Sequence, residues 1–319
     1  MNYQPPFTIT HVMLNLISKI SEKLGRMEEV NALETSPLLR KVNRIKTLTG
    51  TLQIEGNTLD EEKITALLEG KRVIGSEQEI TEAQNAIKVY EKLEQFSYDS
   101  LGDLLKAHKI LMKGLVETPG VLRCVNVRVG GHIAPPFERV DSLMEDLFTW
   151  LQETDLHPLI VSSVFHYEFE FIHPLEDGNG RIGRLWQTLI LYRWREIFAY
   201  LPLESIVREK QQAYYEAIEA ATEQGESTPF VEFMLEAIWQ TLQSTPQATP
   251  QATPQDERLQ KVLDFCVVPR SRQEIQEYLG MKDRKHFKAV VLDVLLDEGK
   301  LVMTLPQKPQ SPKQRYLSK

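Results

Sequence analysis

The segment at residues 173–184, HPLEDGNGRIGR, combines residue types that suit chemistry on a phosphate group. Gly178, Asn179 and Gly180 allow a tight turn whose backbone N–H groups converge at the start of the following helix. The positive end of the helix dipole adds to the attraction that these groups exert on an anion. The spacing therefore predicts an anion-binding turn, although such a turn taken alone is also typical of an ordinary helix start.

Four charged or titratable side chains flank this turn. Arg181 and Arg184 lie three residues apart at the helix start, so both fall on one side of the helix. Two cations at the N-terminus of a helix are repelled by the positive end of its dipole. Their presence there therefore suggests that a polyphosphate binds between them. Asp177 offers a hard oxygen ligand for Mg²⁺, which commonly binds one carboxylate together with substrate phosphates. His173 precedes the turn and can accept a proton from a hydroxyl group that attacks the bound phosphate.

Each of these residues taken alone could be purely structural, and a lone histidine usually is. The joint pattern is more specific, because seven positions are fixed at set spacings. Its glycine spacing also differs from that of the P-loop and of the dinucleotide-binding fingerprint. The pattern therefore indicates another class of phosphate site.

The segment resembles the signature of the Fic family, His-x-Phe-x-(Asp/Glu)-Gly-Asn-Gly-Arg-x-x-Arg, with Leu175 at the position that is usually Phe. The resemblance extends from about residue 10 to residue 240. It implies an all-α fold, a helical-bundle core with a small β-hairpin flap. It also implies a protein AMP-transferase, which moves AMP from ATP to a Ser, Thr or Tyr hydroxyl of a target protein and of itself.

The resemblance assigns roles to single residues. His173 is implied to be the catalytic base, and Asp177 to hold Mg²⁺ against the α- and β-phosphates. The turn amides and Asn179 would stabilise charge on the phosphates, and the two arginines would clamp the β- and γ-phosphates. The helix at Tyr214–Ala221 resembles the one that closes over the adenine, with Thr222 where Asn is often found. The implied nucleotide-binding set is Asp177, Gly178, Asn179, Gly180, Arg181, Arg184, Tyr214 and Tyr215.

Residues 121–137 interrupt the helical pattern of the chain. Alternating valines precede Gly130-Gly131 and then Pro135-Pro136, which predicts a short hairpin. Residues 127–136 resemble the family's flap hairpin, which would hold the modifiable side chain of the target by β-strand addition. The implied docking residues are Val127, Val129, Gly130, Gly131 and His132.

Glu55 is predicted to lie in the last turn of a helix, where a carboxylate faces the negative end of the dipole at a cost of about 0.3–1 kcal/mol. An exposed surface glutamate is the simplest interpretation of that position. The sequence TLQIEGN at residues 51–57 resembles the family's inhibitory motif, (Ser/Thr)-x-x-x-Glu-(Gly/Asn). The resemblance implies that Glu55 pairs with Arg184 and blocks productive placement of the γ-phosphate. The same Glu55 could instead orient water and remove AMP.

Four regions are expected along the chain, with boundaries set by composition and by the resemblance. The segment at 243–255, QSTPQATPQATPQ, cannot bury apolar surface and is expected to be an extended linker. The regions are N-terminal helices with the inhibitory motif at 1–75, the Fic core at 76–242, the linker at 243–255 and a winged-helix-like domain at 256–319.

Apolar periodicity in the body predicts helices almost throughout. A first helix should contain Val12 to Leu24 and end at Gly25, and a second should occupy residues 36–55, starting with Ser-Pro. A capping box at Thr58–Glu61 should open the third. Later helices are expected at 79–96, 101–115, 140–152, 158–172, 181–197, 206–223 and 228–242.

The tail at 256–319 carries 13 Lys and Arg against 9 Asp and Glu, a net charge of +4, whereas the rest of the chain carries −12. Helical runs at 257–266, 271–279 and 283–298, followed by a strand at 301–305, predict a winged helix-turn-helix. The tail resembles modules appended to some bacterial Fic proteins. Basic residues on its third helix, at 283–288, and Lys308, Lys313 and Arg315 on the wing could contact DNA or a protein, or could be solvated surface.

The composition of the chain indicates where in the cell the protein is expected. No stretch approaches about 18 consecutive apolar residues, so we expect no contact with a membrane. The first residues, MNYQPPFTIT, lack the features of a secretory signal. The two cysteines, Cys124 and Cys266, are too few for a disulfide scaffold and suit a reducing cytoplasm.

The sequence leaves alternative functions open. The nucleotide donor could differ from ATP, because the adenine end is the least specified part of the site. The enzyme could act mainly in the direction that removes AMP. A nucleotide-sensing, DNA-binding regulator is the alternative of another class, although a pure sensor would need no base such as His173. Family precedent also suggests a homodimer.

Overall fold

The computed structural model describes residues 3–29, 37–129, 132–245, 254–281, 283, 287–308, 311 and 314–318. It comprises two compact units, Met1–Gln247 and Ala248–Lys319. The division falls within the segment 243–255, of which residues 246–253 lie outside the described part of the chain. One hydrophobic core contains residues from both sides of the expected boundary at residue 75.

The larger unit is helical, and a two-stranded antiparallel hairpin lies between its fifth and sixth α-helices. The helices are α1 (His11–Glu29), α2 (Pro37–Ile54), α3 (Glu61–Leu68), α4 (Glu77–Tyr90), α5 (Leu101–Leu111), α6 (Val140–Glu153), α7 (Pro158–Ile172), α8 (Asn179–Trp194), α9 (Leu203–Glu209), α10 (Gln211–Gln224) and α11 (Thr228–Ser244). Short 3₁₀ turns lie at Leu93–Gln95, Phe137–Arg139 and Glu196–Tyr200. The hairpin strands are β1 (Arg128–Val129) and β2 (His132–Ile133). The predicted all-α class with a small hairpin is confirmed.

Helices α7 and α8 lie at the centre of the larger unit and pack closely against each other. The α7 sequence, PLIVSSVFHYEFEFI, is apolar on almost every face, and such a helix is stable only when protein surrounds it. α7 is buried from Leu159 to Phe169, and α8 from Arg181 to Leu191. The loop that joins them contains the HPLEDGNGR segment, so the motif is anchored to the best-packed helices of the unit.

Helix α2 crosses α9 at close range. A methyl group on Gly50 would lie 2.8 Å from the backbone carbonyl of Glu204, so only glycine permits this approach. At the end of α2, Gln211 donates from Nε2 to the Ile54 carbonyl at 2.8 Å. These contacts fix the end of α2, and with it Glu55, against the rest of the unit.

The end of α1 and the start of α2 were predicted from Gly25 and Ser36. The prediction that Gly25 ends α1 is wrong, because α1 continues to Glu29. Gly25 is exposed with open space around its Cα, and one glycine in an exposed helix costs only about 1 kcal/mol. The predicted cap at Ser36 lies outside the described residues, and α2 begins at Pro37.

The predicted capping box at Thr58 is also wrong. Asp60 is the N-cap of α3, and its side chain accepts a hydrogen bond from the Lys63 N–H at 2.9 Å. The Thr58 hydroxyl instead donates to Glu79 Oε1 on α4 at 2.6 Å. A tertiary acceptor therefore competes successfully with the local cap.

The smaller unit contains α12 (Pro254–Phe265), α13 (Arg272–Tyr278), a π-helical turn at Lys288–Leu292 that continues into α14 (Asp293–Asp297), and strands β3 (Leu301–Met303) and β4 (Tyr316–Ser318). β3 and β4 pair antiparallel, with Val302 opposite Leu317. The partner strand β4 was missed by the sequence pattern, because three residues are too few to show alternation. The winged-helix interpretation stays a prediction.

The basic residues expected to face a partner in the tail are only partly described. Arg284, Lys285, His286 and Lys313 lie outside the described residues. Lys288 forms an ion pair with Asp293 at 2.6 Å, and Arg315 forms one with Glu274 at 3.3 Å. Phe287 is buried in the core of the smaller unit. In the described part of the chain, no helix is both long and apolar enough to cross a bilayer.

Candidate functional site

The motif loop begins with an unusual backbone conformation at His173. This residue caps α7 with φ 49° and ψ 58°, and among the described residues it is the one non-glycine with positive φ. Its N–H donates to the Phe169 carbonyl at 2.9 Å. A histidine pays a steric cost in the left-handed region, and such strain is found where other contacts over-determine the backbone.

The glycine turn places a helix start beside this histidine. Gly178 is the N-cap of α8 with φ 83°, and a methyl group on it would lie 2.8 Å from Met112 Sδ. Only glycine fits both demands. The N–H groups of the first helical turn, from Asn179 onward, have no intrahelical acceptor and can bind an anion.

The Asn179 side chain holds the loop rather than facing outward. It is buried, and its Oδ1 and Nδ2 bond the N–H and the carbonyl of Leu175, both at 2.9 Å. The expectation that this side chain stabilises charge on phosphates therefore needs correction, because both of its polar atoms are used within the loop. The Leu175 side chain is fully buried, which explains why an apolar residue can replace Phe there.

Asp177 lies at the exposed end of the loop. Its Oδ1 accepts a hydrogen bond from the Gly178 N–H at 2.6 Å, and Arg181 Nη2 lies 3.2 Å from the same oxygen. The side chain is 58% exposed. His108 Nδ1 accepts from the Gly120 N–H at 2.8 Å, so Nε2 carries the proton and donates to the Asp177 carbonyl at 3.0 Å. Burial lowers the pKa of His108, which keeps it in this neutral form.

Arg184 is buried and paired with Glu55. Nη2 lies 2.6 Å from Glu55 Oε1, while Nε and Nη2 also donate to the Thr51 hydroxyl and carbonyl, each at 3.2 Å. Arg184 is 3% exposed, whereas Glu55 is 30% exposed. Burial opposes the charge of Arg184, but Glu55, together with Tyr214 and Glu170, outweighs burial and holds the Arg184 pKa above its usual value.

The Glu55 carboxylate lies directly over the glycine turn. A methyl group on Gly180 would be 2.6 Å from Glu55 Oε1 and 3.0 Å from Arg184 Nη1. The carboxylate thus occupies space beside the helix start where an anion would bind. The predicted neighbourhood of Glu55 and Arg184 is therefore present.

Arg181 also has carboxylate neighbours. Besides Asp177, Nη1 lies 3.7 Å from Glu82 Oε1 on α4. Glu82 Oε2 accepts from Asn57 Nδ2 at 2.8 Å, and this links Arg181 to the turn that follows Glu55. Both arginines of the motif thus contact acidic groups from outside it, the first arginine a group on α4 and the second a group at the end of α2.

The two tyrosines predicted to contact the adenine lie in different environments. Tyr214 is buried, with its hydroxyl 3.1 Å from His166 Nε2. Tyr215 is 47% exposed, and its hydroxyl accepts from Gln211 Nε2 at 3.3 Å. Since Gln211 also bonds the end of α2, Tyr215 lies near the candidate site, whereas Tyr214 belongs to the core. The Thr222 hydroxyl donates within the helix to the Ile218 carbonyl at 2.8 Å.

The hairpin lies beside the motif loop. Val127 is half-buried, and the backbone pairs Val129 with His132. Gly130 and Gly131 lie outside the described residues. Arg123, before the hairpin, is buried and donates to carbonyls of both the hairpin and the loop.

Sequence reasoning missed several residues of the site: His108, Arg123, Glu170 and Glu82. Glu170 had a visible signal, a carboxylate inside an apolar run three residues before His173. Its Oε2 lies 3.9 Å from His173 Nδ1 and its Oε1 lies 3.8 Å from His166 Nε2. Burial raises the pKa of Glu170 to about 8. His108 and Arg123 act on backbone carbonyls, which a sequence pattern does not display.

The residues present fit a metal ion that is bound mainly by a substrate. Among the described residues, no group of three or more His, Cys, Asp and Glu side chains is arranged to hold a metal. Asp177 supplies one exposed carboxylate beside an anion-binding turn. Mg²⁺ typically binds in this manner, with one or two carboxylates and with phosphates as further ligands.

Comparison with known proteins shows which families and solved structures the chain resembles. A profile of the Fic/DOC family matches residues 98–191, and the Filamentation induced by cAMP protein Fic-like C-terminal domain matches residues 255–317. A crystal structure of a Fic family protein from Desulfovibrio desulfuricans G20 is similar over 99% of this chain and 98% of its own, with 42% identity and a TM-score of 0.75. Fic-1 (aa134 - 508 E274G) from C. elegans is 26% identical over 72% of this chain and 71% of its own, with a TM-score of 0.57.

Curated relatives carry the name protein adenylyltransferase Fic. One from Culex quinquefasciatus is 28% identical over 249 residues, which is 73% of this chain and 48% of that protein. One from Drosophila mojavensis is 30% identical over 240 residues, or 71% and 46%. The chain thus spans about half the length of these curated relatives.

The fold and the site together define a helical bundle with an anion-binding helix start and a hairpin beside it. The D. desulfuricans protein, a Fic family member, is 42% identical over nearly the full length of both chains, and this similarity identifies the family. The chain belongs to the Fic family.

Proposed function

We propose that this protein is a protein adenylyltransferase, which moves AMP from ATP to a Ser, Thr or Tyr hydroxyl of a target protein and of itself. The observation that carries the proposal is the glycine turn at the start of α8, where Arg181 and Arg184 flank amides suited to an anion. The names of the curated relatives support the same activity.

The proposed reaction needs a base, an electrophile and a leaving group. The hydroxyl oxygen of the target bonds to the α-phosphorus of ATP while its proton passes to His173. The bond from the α-phosphorus to the oxygen that bridges to the β-phosphate breaks, and pyrophosphate leaves. The left-handed backbone at His173 turns the chain out of α7 and into the loop that leads to the anion-binding turn, which supports the proposed role of His173 as the base.

Charge on the phosphates would be met by fixed groups. The amides of the first turn of α8 and the two arginine side chains are positioned before the nucleotide binds, so little reorganisation is needed during the reaction. Tyr215, the exposed member of the tyrosine pair, is the candidate for contact with the adenine. Bound through Asp177, Mg²⁺ would neutralise phosphate charge.

The hairpin is proposed to dock the target. β1 and β2 each contain two residues, and the side chains of Val125, before β1, and of Ile133, in β2, are exposed. A target segment in extended conformation could add to such an edge through main-chain hydrogen bonds. Its hydroxyl side chain would then reach the loop that carries His173.

Glu55 is proposed to keep the enzyme inactive at rest. Its carboxylate holds Arg184 at 2.6 Å and lies over Gly180, where the terminal phosphates would bind. A negative charge at this position repels the nucleotide's own phosphates and also removes Arg184 from them. Withdrawal of Glu55 would leave the buried Arg184 without its carboxylate, so Arg184 would then favour a phosphate partner.

The test is transfer of label from ATP that carries radioactivity on either the α- or the γ-phosphate, with Mg²⁺ present. Glu55→Gly protein should acquire label from the α-position and none from the γ-position. Adding His173→Ala should abolish the label, since a general base contributes about 10²- to 10⁴-fold. His157→Ala, at the other end of the same helix, is the matched control and should keep the label.

Label from the γ-position would show a phosphate transfer and would contradict the proposal. Absence of label from every nucleotide tried would contradict it as well. Equal label in the His173→Ala and His157→Ala proteins would remove His173 from its proposed role.

A further inference from the structure

Arg123 is a buried cation whose partners are backbone carbonyls. Nε donates to the His173 carbonyl at 2.8 Å, Nη1 to that of Val125 at 2.7 Å, and Nη2 to that of Pro135 at 2.6 Å. Nη2 also lies 3.3 Å from the Ile172 carbonyl. Among the described residues, no carboxylate lies within ion-pair distance of Arg123. A charged group satisfied by carbonyls orders the backbone that supplies them.

On one side, Arg123 holds the loop of the proposed base. The side chain bonds the carbonyl of His173, and the Arg123 N–H donates to the Pro174 carbonyl at 2.8 Å. Two consecutive peptide groups, the one that follows His173 and the one that follows Pro174, are thus fixed by one residue. His173 is the residue with the left-handed backbone, a conformation that persists only when its surroundings determine it.

On the other side, Arg123 holds both ends of the hairpin. Val125 precedes β1 and Pro135 follows β2, and their carbonyls meet at the same guanidinium. A hairpin with two-residue strands is marginal by itself, so its position depends on such attachments. Asn126 adds a second link, because its Oδ1 accepts from the Phe137 N–H at 3.0 Å.

We propose that Arg123 is a positioning residue that sets the distance between the target-docking hairpin and His173. The inference rests on the proposed function, because it concerns the transfer step. The five fixed N–H donors of an arginine form a planar fork that can bond several carbonyls in different directions. A lysine at this position cannot bond both backbone segments in the same geometry, so hairpin and base would move relative to each other.

Loss of the Arg123 hydrogen bonds should slow AMP transfer and should leave ATP binding nearly unchanged. Arg123 bonds the carbonyls of Ile172 and His173, before the glycine turn, whereas the anion-binding amides follow Gly178. Misplacement of a reacting group by about 1 Å can cost about 100-fold in rate. The loss should therefore appear in kcat, with KM for ATP nearly unchanged.

The experiment compares Arg123→Lys with Arg193→Lys, both in the Glu55→Gly protein. Arg193 is the matched control because Nη2 donates to the Glu94 and Phe96 carbonyls at 2.9 and 2.7 Å, at the far end of α8. Two readouts are taken: self-labelling kinetics with ATP, and amide hydrogen exchange of the hairpin at 124–136 and of the loop at 172–178.

Arg123→Lys should lower kcat of self-labelling by about 100-fold, with less than about a threefold change in KM for ATP. It should also raise exchange in both segments together, whereas Arg193→Lys should change neither. Unchanged exchange in the hairpin, or equal loss of kcat in the two variants, would overturn the proposal.

If Arg123→Lys does not fold, Asn126→Ala removes only the second link of the hairpin and should give the same pattern at smaller amplitude. No change in that protein would overturn the inference. If the parent protein transfers no label, the proposed function fails, and the exchange data still decide whether Arg123 couples the two segments.

Discussion

The loop that carries His173 and the turn that carries Glu55 both lie at the start of α8, but they are held in different ways. The loop backbone is bonded by side chains that are themselves buried, Arg123 at its start and Asn179 at its end. The Glu55 side chain is held mainly by its pair with Arg184 and is 30% exposed.

The difference separates a permanent part of the site from a removable one. Moving the loop would leave several buried polar groups without partners, and each such group costs about 1–3 kcal/mol. Removing Glu55 from Arg184 needs a rotation of a partly exposed side chain, and a bound phosphate could replace the carboxylate as the partner of the buried Arg184. We therefore expect changes in the loop to abolish activity and changes around Glu55 to release it.

The largest effect is expected from Asn179→Ala in the Glu55→Gly protein. The change leaves the buried N–H and carbonyl of Leu175 without their partners, so the glycine turn should lose its shape. Self-labelling should fall by about 100-fold or more. The measurement is the initial rate of label incorporation at saturating ATP.

Asn43→Ala serves as its control, since Asn43 is equally buried and donates to the Tyr200 carbonyl at 2.9 Å, a bond that involves no loop residue. This protein should lose stability and keep its labelling rate. A similar fall of the rate in both proteins would mean that the loop has no special dependence on Asn179.

A smaller effect is expected on the pH dependence of stability. It comes from Glu170, which lies beside His166 and beside His173 of the permanent part of the site. Burial raises its pKa to about 8, Arg184 opposes the rise and Glu55 adds to it. Between about pH 4.5 and pH 8, the folded protein keeps a proton on Glu170 that the unfolded chain releases. The free energy of unfolding should therefore fall as pH rises through this window.

Glu170→Gln cannot ionise and should not show that fall. Between pH 5 and pH 8, the wild type should lose about 2–4 kcal/mol relative to this variant. Chemical denaturation across the pH range measures the difference. Glu168→Gln is the companion, because burial raises the Glu168 pKa to about 7 and its window should end about one pH unit lower. A difference that stays constant with pH would contradict the neutral state of Glu170.

The smallest effect is expected from Thr51→Val in the otherwise unchanged protein. The variant removes the hydroxyl that accepts from Arg184 Nε at 3.2 Å, but leaves the pair with Glu55 intact. Weakening the resting arrangement by about 1 kcal/mol should raise self-labelling by about fivefold.

Thr49→Val is a close control, since the Thr49 hydroxyl is buried and has no hydrogen-bond partner among the described residues. It should leave the labelling rate unchanged. Equal rates in both valine variants would show that Thr51 does not contribute to the resting state.

The sequence was most informative where spacing alone determines geometry. Residues His173 to Arg184 surround one helix start, so their order along the chain nearly fixes their order in space. The pairing of Glu55 with Arg184, which are 129 positions apart, came from the resemblance to a family and not from any local pattern. The prediction of helices followed from apolar periodicity, which α1 shows with Leu16, Ile20 and Leu24 buried, whereas α7 is apolar on almost every face.

Other features could not be predicted because they depend on tertiary contacts. Arg123 and His108 bond carbonyls, and a carbonyl belongs to every residue type alike. Adjacent tyrosines on a helix point about 100° apart, so only one of Tyr214 and Tyr215 could face outward, and the pattern did not say which. Asn179 was predicted to face phosphates because its use within the loop is invisible before the fold is known.

We propose that the site is complete at rest and is blocked by Glu55 alone. The most direct measurement is the initial rate of self-labelling from α-labelled ATP in wild type, in Glu55→Gly and in Glu69→Gly. Glu69 is the control because it also follows the end of a helix and pairs with Lys41 and Lys71, on the surface. We expect Glu55→Gly to be at least about tenfold faster than the other two. Equal rates in all three proteins would show that Glu55 does not block the site.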